Sequence, residues 1–315
     1  MIWLYAFQFA VPLLLIGWLL WLPARNALGF AAQVIASFAA LACVALQGIW
    51  LLPPWWAPWI SAAALLVAMW LAWRRIRNSW SGLPHTWGAW SVLGLFIALG
   101  AVSIYGTVSA LKSRTAPVAG RVNLAFPLEL GRYLIVNGGS NLSTNAHLET
   151  LDASVPRYRA WRGQSYGVDV VALGAFGLRA GGVQPADPRA YVIFGARVLA
   201  PCAGQVVIAV DGLPDMQVPE VDSEHPAGNH VLLRCAAADV LIGHLQSGSV
   251  RVDPGAEVVV GDWLGSVGNS GNTGEPHLHI HAQGRGPSEA PFGGEPRPIQ
   301  FNGRFPVRGD RFEAP

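Results

Sequence analysis

Two patterns of apolar and polar positions divide the chain. Up to residue 111 the apolar residues run in long blocks with no polar period: Trp3–Leu22, Ala27–Leu52, Trp59–Trp73 and Trp87–Leu111. A helix that crosses a bilayer needs about 20 mostly apolar residues. The third block falls short of that, and its ends are the least defined. Pro23, Pro53, Pro54 and Pro58 interrupt the chain between blocks, where helices end. Trp55, Trp56, Trp59, Trp73, Trp80, Trp87 and Trp90 gather at block ends, as interfacial aromatic belts do. Residues 1–111 are therefore predicted to form an N-terminal α-helical transmembrane bundle of about four spans.

Beyond a linker over 112–126 that becomes extended, the pattern changes to short β-branched runs broken by Gly, Pro, Asn and Asp. Candidate strands are Tyr133–Val136, Tyr166–Val171, Arg197–Leu199, Gln205–Val210, His230–Leu233, Val240–His244, Glu257–Val260, Gly265–Val267 and His277–Ala282. This spacing predicts an all-β domain over 127–315, with the strands antiparallel. No stretch predicts a helix longer than a turn or two. Residues 212–229 form a long polar insert between two strands, the kind of loop that often rims a site.

Composition follows the same division. Only 13% of the 315 residues are charged, about half the usual share for a soluble domain, and the deficit lies in the first half. No Lys or Arg precedes the first apolar block, which speaks against a cleaved signal peptide. Basic residues near span ends set orientation. Arg25 lies in the first loop, Arg74, Arg75 and Arg77 in the third, and none in the second. The first and third loops are expected in the cytoplasm and both termini outside, although Lys112 and Arg114 pull weakly the other way. No Asp, Glu, Lys, Arg or His lies in mid-span, where transport paths carry them, so the pattern speaks against a transporter. A net charge of +2 and the lack of a basic, aromatic-interleaved run offer no nucleic-acid surface. Cys43 suits a small apolar filler. Cys202 and Cys235 flank two strands that would bring them close if antiparallel. An oxidising compartment permits a disulfide there, and buried free thiols are the alternative.

The chemistry concentrates in "GNTGEPHLHIHA", residues 271–282. In a strand, residues i, i+2 and i+4 share a face, so His277, His279 and His281 line one face and Leu278 and Ile280 the other. His244 ends an apolar strand, and Asp169 is a lone carboxylate inside another, costly there unless paired or metal-bound. Catalytic zinc takes three protein ligands from His, Asp or Glu and keeps a fourth position open. His281 reads equally as a support behind the ligands or an exposed strand end. His230, His225 and His85 read as ordinary polar positions.

"GHLQSGSVRVDPGAEVVVGDWLGSVGNSGNTGEPHLHIHA" resembles the core of the lysostaphin-type zinc endopeptidases, which cleave peptide cross-links in peptidoglycan. "VLAPCAGQVVIAV" resembles an earlier strand of that family, and "YGVDV" its first metal motif. The resemblance covers about residues 140–283. It implies a twisted antiparallel sheet with an open groove over one zinc ion. It further implies Asp169 and His279 as metal ligands, and His244 and His277 as general base and oxyanion stabiliser in either order. Water activated by the metal would attack the peptide bond. The family's first motif has a His four residues before the Asp, where this chain has Ser165. His147 is the expected replacement ligand, as in a subset of the family with "Q.YA.D", and His230 is the reserve. The chain is thus expected to be a membrane-anchored zinc metalloendopeptidase of the bacterial inner membrane, its β domain on the periplasmic side. Its partners would be the bilayer, cell-wall peptides and no nucleic acid. The alternative is a catalytically inactive lysostaphin-like module that regulates other wall hydrolases. The spans have no assigned partner.

Overall fold

The computed structural model describes residues 2–286 and 290–314. The chain divides into two compact units, Met1–Lys112 and Ser113–Pro315.

The first unit is four helices: α1 Ile2–Trp21, α2 Ala27–Gln47, α3 Ala57–Ile76 and α4 Trp87–Lys112. The last three are long and apolar enough to cross a membrane, and α1 adds the apolar stretch Phe7–Trp21. The third helix is longer than its apolar block. Pro58 starts it, where a missing N–H costs nothing, and Arg74 and Arg75 continue it. Arg74 and Arg77 reach back over the Trp70 and Trp73 rings. α2 stops at Gln47 rather than Leu52. The core between helices is Leu19, Phe30, Leu41, Leu65, Ala68, Ala72 and Ile76. Outward faces carry exposed Leu13, Leu14, Val67, Leu95, Ile97 and Val102, a surface suited to lipid and not to water. Buried Gln side chains satisfy loop backbone. Gln8 Oε1 accepts from Ile49 N–H at 2.8 Å, and Gln33 Oε1 from Ala24 N–H at 3.0 Å.

In the second unit the strands are β1 Val122–Leu124, β2 Gly131–Asn137, β3 Val168–Ala172, β4 Arg197–Leu199, β5 Gly204–Val210, β6 Asn229–Cys235 and β7 Asp239–Leu245. They continue with β8 Glu257–Val258, β9 Trp263–Ser266, β10 Leu278–Gln283, β11 Pro296–Arg297, β12 Ile299–Phe301 and β13 Arg311–Ala314. The main sheet runs β13-β2-β3-β10-β7-β6-β5-β8, with β11 also on β10, and its pairs are antiparallel. The pair β4–β9 is antiparallel as well, but β1–β12 is parallel, which departs from the antiparallel expectation. β1 also lies within the expected linker.

The two faces of the main sheet differ as the alternation predicts. Val168, Val170, Val231, Leu233, Val240, Ile242, Leu278, Ile280 and Ala282 join one buried core with Val198, Leu264 and Phe301 from the small sheets. The other face carries Asp169 and the histidine row. Register places His279 directly between Asp169 on β3 and Gly243 on β7. Cys202 and Cys235 are bonded, and Gly204 pairs with Cys235 in the β5–β6 ladder.

Candidate metal centre

The site begins with strand register. Because β10 pairs with β3 at His279↔Asp169, the carboxylate and imidazole meet: His279 Nδ1 lies 2.9 Å from Asp169 Oδ1. The third member comes from a turn. His147 stands in the 3-10 turn Ala146–Leu151, and its Nε2 lies 3.1 and 3.0 Å from the two Asp169 oxygens. Donor atoms of His147, Asp169 and His279 all fall within 4.8 Å of one another. Two imidazole nitrogens and a carboxylate, two of the three residues buried, fit the donor set of a catalytic zinc site.

The local sequence explains how a turn reaches so far. Asn145 Oδ1 accepts from His147 N–H, while its Nδ2 donates to the Gly139 and Gly167 carbonyls. Thr150 Oγ1 donates to the His147 carbonyl at 2.7 Å and accepts from Ser165 Oγ at 2.8 Å. Ser165 is fully buried, and the Arg162 carbonyl is the other acceptor within reach of its one hydroxyl proton. The residue that stands where the family pattern has a ligand thus braces the turn that carries His147. Gly167 fits between the two imidazoles: a Cβ there would meet His279 Cε1 at 2.8 Å and His147 Cδ2 at 3.1 Å.

Charge is concentrated on Asp169. Burial works to raise its pKa, but the His147 and His277 rings and hydrogen bonds with His147 and His279 hold it well below the usual carboxylate range. Asn137 Nδ2 donates to Asp169 Oδ2 at 2.9 Å, and Arg308 Nη2 to Asn137 Oδ1 at 2.8 Å. Burial lowers the Arg308 pKa to about 10, against a raising effect of Asp169. Sequence reasoning missed Asn137 and Arg308. They have no motif of their own, and only the fold brings them to the carboxylate.

His244 and His277 lie beside the triangle with ring centroids 4.8 Å apart. His244 takes a left-handed backbone, φ 60°, at the end of β7. Its Nδ1 donates to the Ser270 carbonyl at 2.9 Å; a carbonyl can only accept, so this nitrogen carries the proton. Burial, with His277 and His279 nearby, pushes its pKa well below the ordinary value. His277 is anchored in the same way, Nδ1 to the Glu275 carbonyl at 2.9 Å. Glu275 is held in turn by Arg179 in a buried two-point ion pair at 2.9 and 2.8 Å. Both histidines therefore leave Nε2 free of these anchors. His281, with no exposed surface, is not a strand-end residue: its Nδ1 lies 3.0 Å from His279 Nε2, and Phe292 stacks on its ring.

Neither His230 nor His225 belongs to the donor set. His230, the reserve ligand, is buried with Nδ1 on the Gly228 carbonyl at 2.7 Å. His225 pairs with Asp222 on the polar insert. That insert is laced to the loop before His277: Asp222 N–H donates to the Gly271 carbonyl and Met216 N–H to the Asn269 carbonyl.

The sequence profile of peptidase family M23 matches residues 190–291, a stretch that contains His244, His277 and His279. That stretch of the second unit is similar to the M23 peptidase domain. His147 and Asp169 lie upstream of the matched stretch. The chain resembles the catalytic domain of lysostaphin from Staphylococcus simulans at 20% identity, over 40% of this chain and 71% of that one, with a TM-score of 0.26. A zinc-containing peptidase from Vibrio cholerae is similar at 18% identity, over 36% and 43%, TM-score 0.23. Csd3 of Helicobacter pylori is similar at 17% identity, over 64% and 38%, TM-score 0.30. The chain thus spans less than half the length of the last two. No curated protein matches it in sequence.

Proposed function

We propose that the protein is a membrane-anchored, zinc-dependent endopeptidase that hydrolyses peptide bonds in peptidoglycan cross-links or related cell-wall peptides. One observation carries the reading: the convergence of His147, Asp169 and His279 with His244 and His277 set beside them. The three would hold one zinc ion. Bound there, zinc would polarise a peptide carbonyl and lower the pKa of a water to about 7.

The chain's own residues supply the proton chemistry. His244 is kept neutral by burial and has its Nδ1 proton tied to Ser270, so its Nε2 lone pair can take a proton from the attacking water. His277, its Nδ1 anchored on the Glu275 carbonyl, would turn Nε2 to the carbonyl oxygen as that oxygen gains charge. His281 accepts from His279 Nε2–H and so leaves His279 Nδ1 for the metal, the usual duty of a carboxylate or carbonyl behind a ligand histidine. The polar insert and the glycine-rich 268–275 loop would rim an extended peptide.

Two independent signs support a periplasmic site. The basic loops predict cytoplasmic connections, which sends the second unit outward. The Cys202–Cys235 bond belongs to an oxidising compartment.

The test is metal analysis on the detergent-purified chain, then cleavage of Gly- and Ala-containing cross-link peptides. One zinc per chain is expected, with cleavage lost in His244→Ala and His277→Ala while zinc stays bound. A chain that binds no zinc would overturn the enzyme and leave a wall-binding module.

A further inference from the structure

The helical unit contains a feature that a mere anchor does not need. At the end where α1 and α3 finish and α2 and α4 begin, a cavity of about 840 Å3 opens. Trp18 and Trp21 give it an apolar wall; Arg25, Arg75, His85 and Thr86 give it polar ones. The two loops that frame it are tied together. Ala27 N–H donates to the Ser81 carbonyl at 2.8 Å and Leu28 N–H to the Gly82 carbonyl at 3.3 Å. Asn26 Oδ1 accepts from Gly29 N–H at 2.7 Å. Arg75 Nη1 donates to the Leu20 carbonyl at 2.7 Å, which fixes its guanidinium at the last turn of α1.

Charge says what such a cavity would take. Residues 1–112 contain five Lys and Arg residues and no Asp or Glu. No carboxylate of this unit can neutralise Arg25 or Arg75, so the counter-charge comes from outside it. Guanidinium groups pair best with planar or multi-oxygen anions, phosphate above all. Tryptophans mark the headgroup level of a bilayer, and basic pockets between helices at that level suit anionic lipid headgroups. We propose that this cavity is a phosphate-binding site for the headgroup of an anionic phospholipid. The phosphate sits between Arg25 and Arg75, and the glycerol end lies against Trp18 and Trp21. On the orientation given above, the lipid belongs to the inner leaflet.

The test uses the full chain in a zwitterionic detergent. It is titrated with phosphatidylglycerol, with phosphatidylcholine of the same chain length, and with inorganic phosphate. Lipid retention is read by native mass spectrometry and Tm by thermal unfolding. One phosphatidylglycerol per chain is expected, with a raised Tm and no such response to phosphatidylcholine. Arg25→Gln should weaken binding about fivefold, as ~1 kcal/mol per cation at an anionic headgroup implies. The double variant Arg74→Gln/Arg77→Gln removes two charges that stack on Trp70 and Trp73 outside the cavity wall, and should leave binding unchanged. Because Arg75 also holds the Leu20 carbonyl, Arg75→Lys serves as its variant: charge stays, the fork is lost, and affinity should fall. Equal losses in the double variant and Arg25→Gln would mean diffuse attraction and overturn the site, as would equal retention of the two lipids. A Tm rise with inorganic phosphate that matches the lipid's would support the anion site and overturn the lipid as its source.

Discussion

The two sides of the candidate metal centre are built differently. On one side His277 and His279 come from a short stretch at and just before a central strand, with His244 on the next strand. Ladder register sets His279 against the strand of His244, and one backbone carbonyl anchors each of the rings of His244 and His277. On the other side Asp169 lies on a strand, but His147 rides a 3-10 turn held by Asn145, Thr150 and Ser165. The strand side needs few helpers, and the turn side needs a scaffold of hydrogen bonds. On the proposed function, a donor has left its usual place in the sequence together with the scaffold that carries it.

The largest effects should come from the donors themselves. His279→Ala and His147→Ala should each abolish stoichiometric zinc, read by metal analysis after dialysis. Zinc retained in His147→Ala would break the comparison, since the turn would then carry no ligand. Gly167→Ala comes next. Its methyl would meet His279 Cε1 at 2.8 Å and should push both imidazoles apart. Zinc affinity by competition titration should fall about 10–100-fold, the scale of damage to a ligand's supports. Ser165→Ala should act on the turn side alone. The loss of one buried hydrogen bond costs ~1 kcal/mol in urea unfolding, with a small fall in zinc affinity. An unchanged stability would mean that Thr150 holds the turn without it.

The smallest effect concerns a histidine outside the triangle. Burial lowers the His230 pKa, against the raising effect of its bond to Gly228. The unfolded chain then binds this proton more readily than the folded one. His230 contributes full stability above its unfolded pKa of about 6.5, and that contribution falls as pH drops below it. His230→Gln should flatten the slope of unfolding free energy between about pH 6.5 and 5. An unaltered slope would show that His230 takes up its proton without cost in the fold.

How far the sequence was legible follows from how local each signal is. The four apolar blocks and the alternating strands depend on neighbours within a few residues, and the structure has them with shifted ends. The row of His277, His279 and His281 was readable because a strand's period is two. His281 alone stayed ambiguous, since burial depends on Phe292 packing over it from another segment. The parallel β1–β12 pair escaped notice because its partners lie far apart in the chain. Asn137 and Arg308 were silent for the same reason: they meet Asp169 only through β2 and the loop before β13. The role of Ser165 was hidden differently. Its identity argued that a ligand was missing, and only its hydrogen bond to Thr150 gives it a positive duty.

That duty bears on how sequences are sorted into working and broken copies. A filter that demands histidine four residues before the metal-facing aspartate would discard this chain as a dead copy. A filter that asks whether the position holds up a neighbouring histidine would keep it. Chains with a small hydroxyl residue there, a threonine some fifteen residues upstream and an Asn-x-His just before it belong in a pile of their own, to be assayed before they are dismissed.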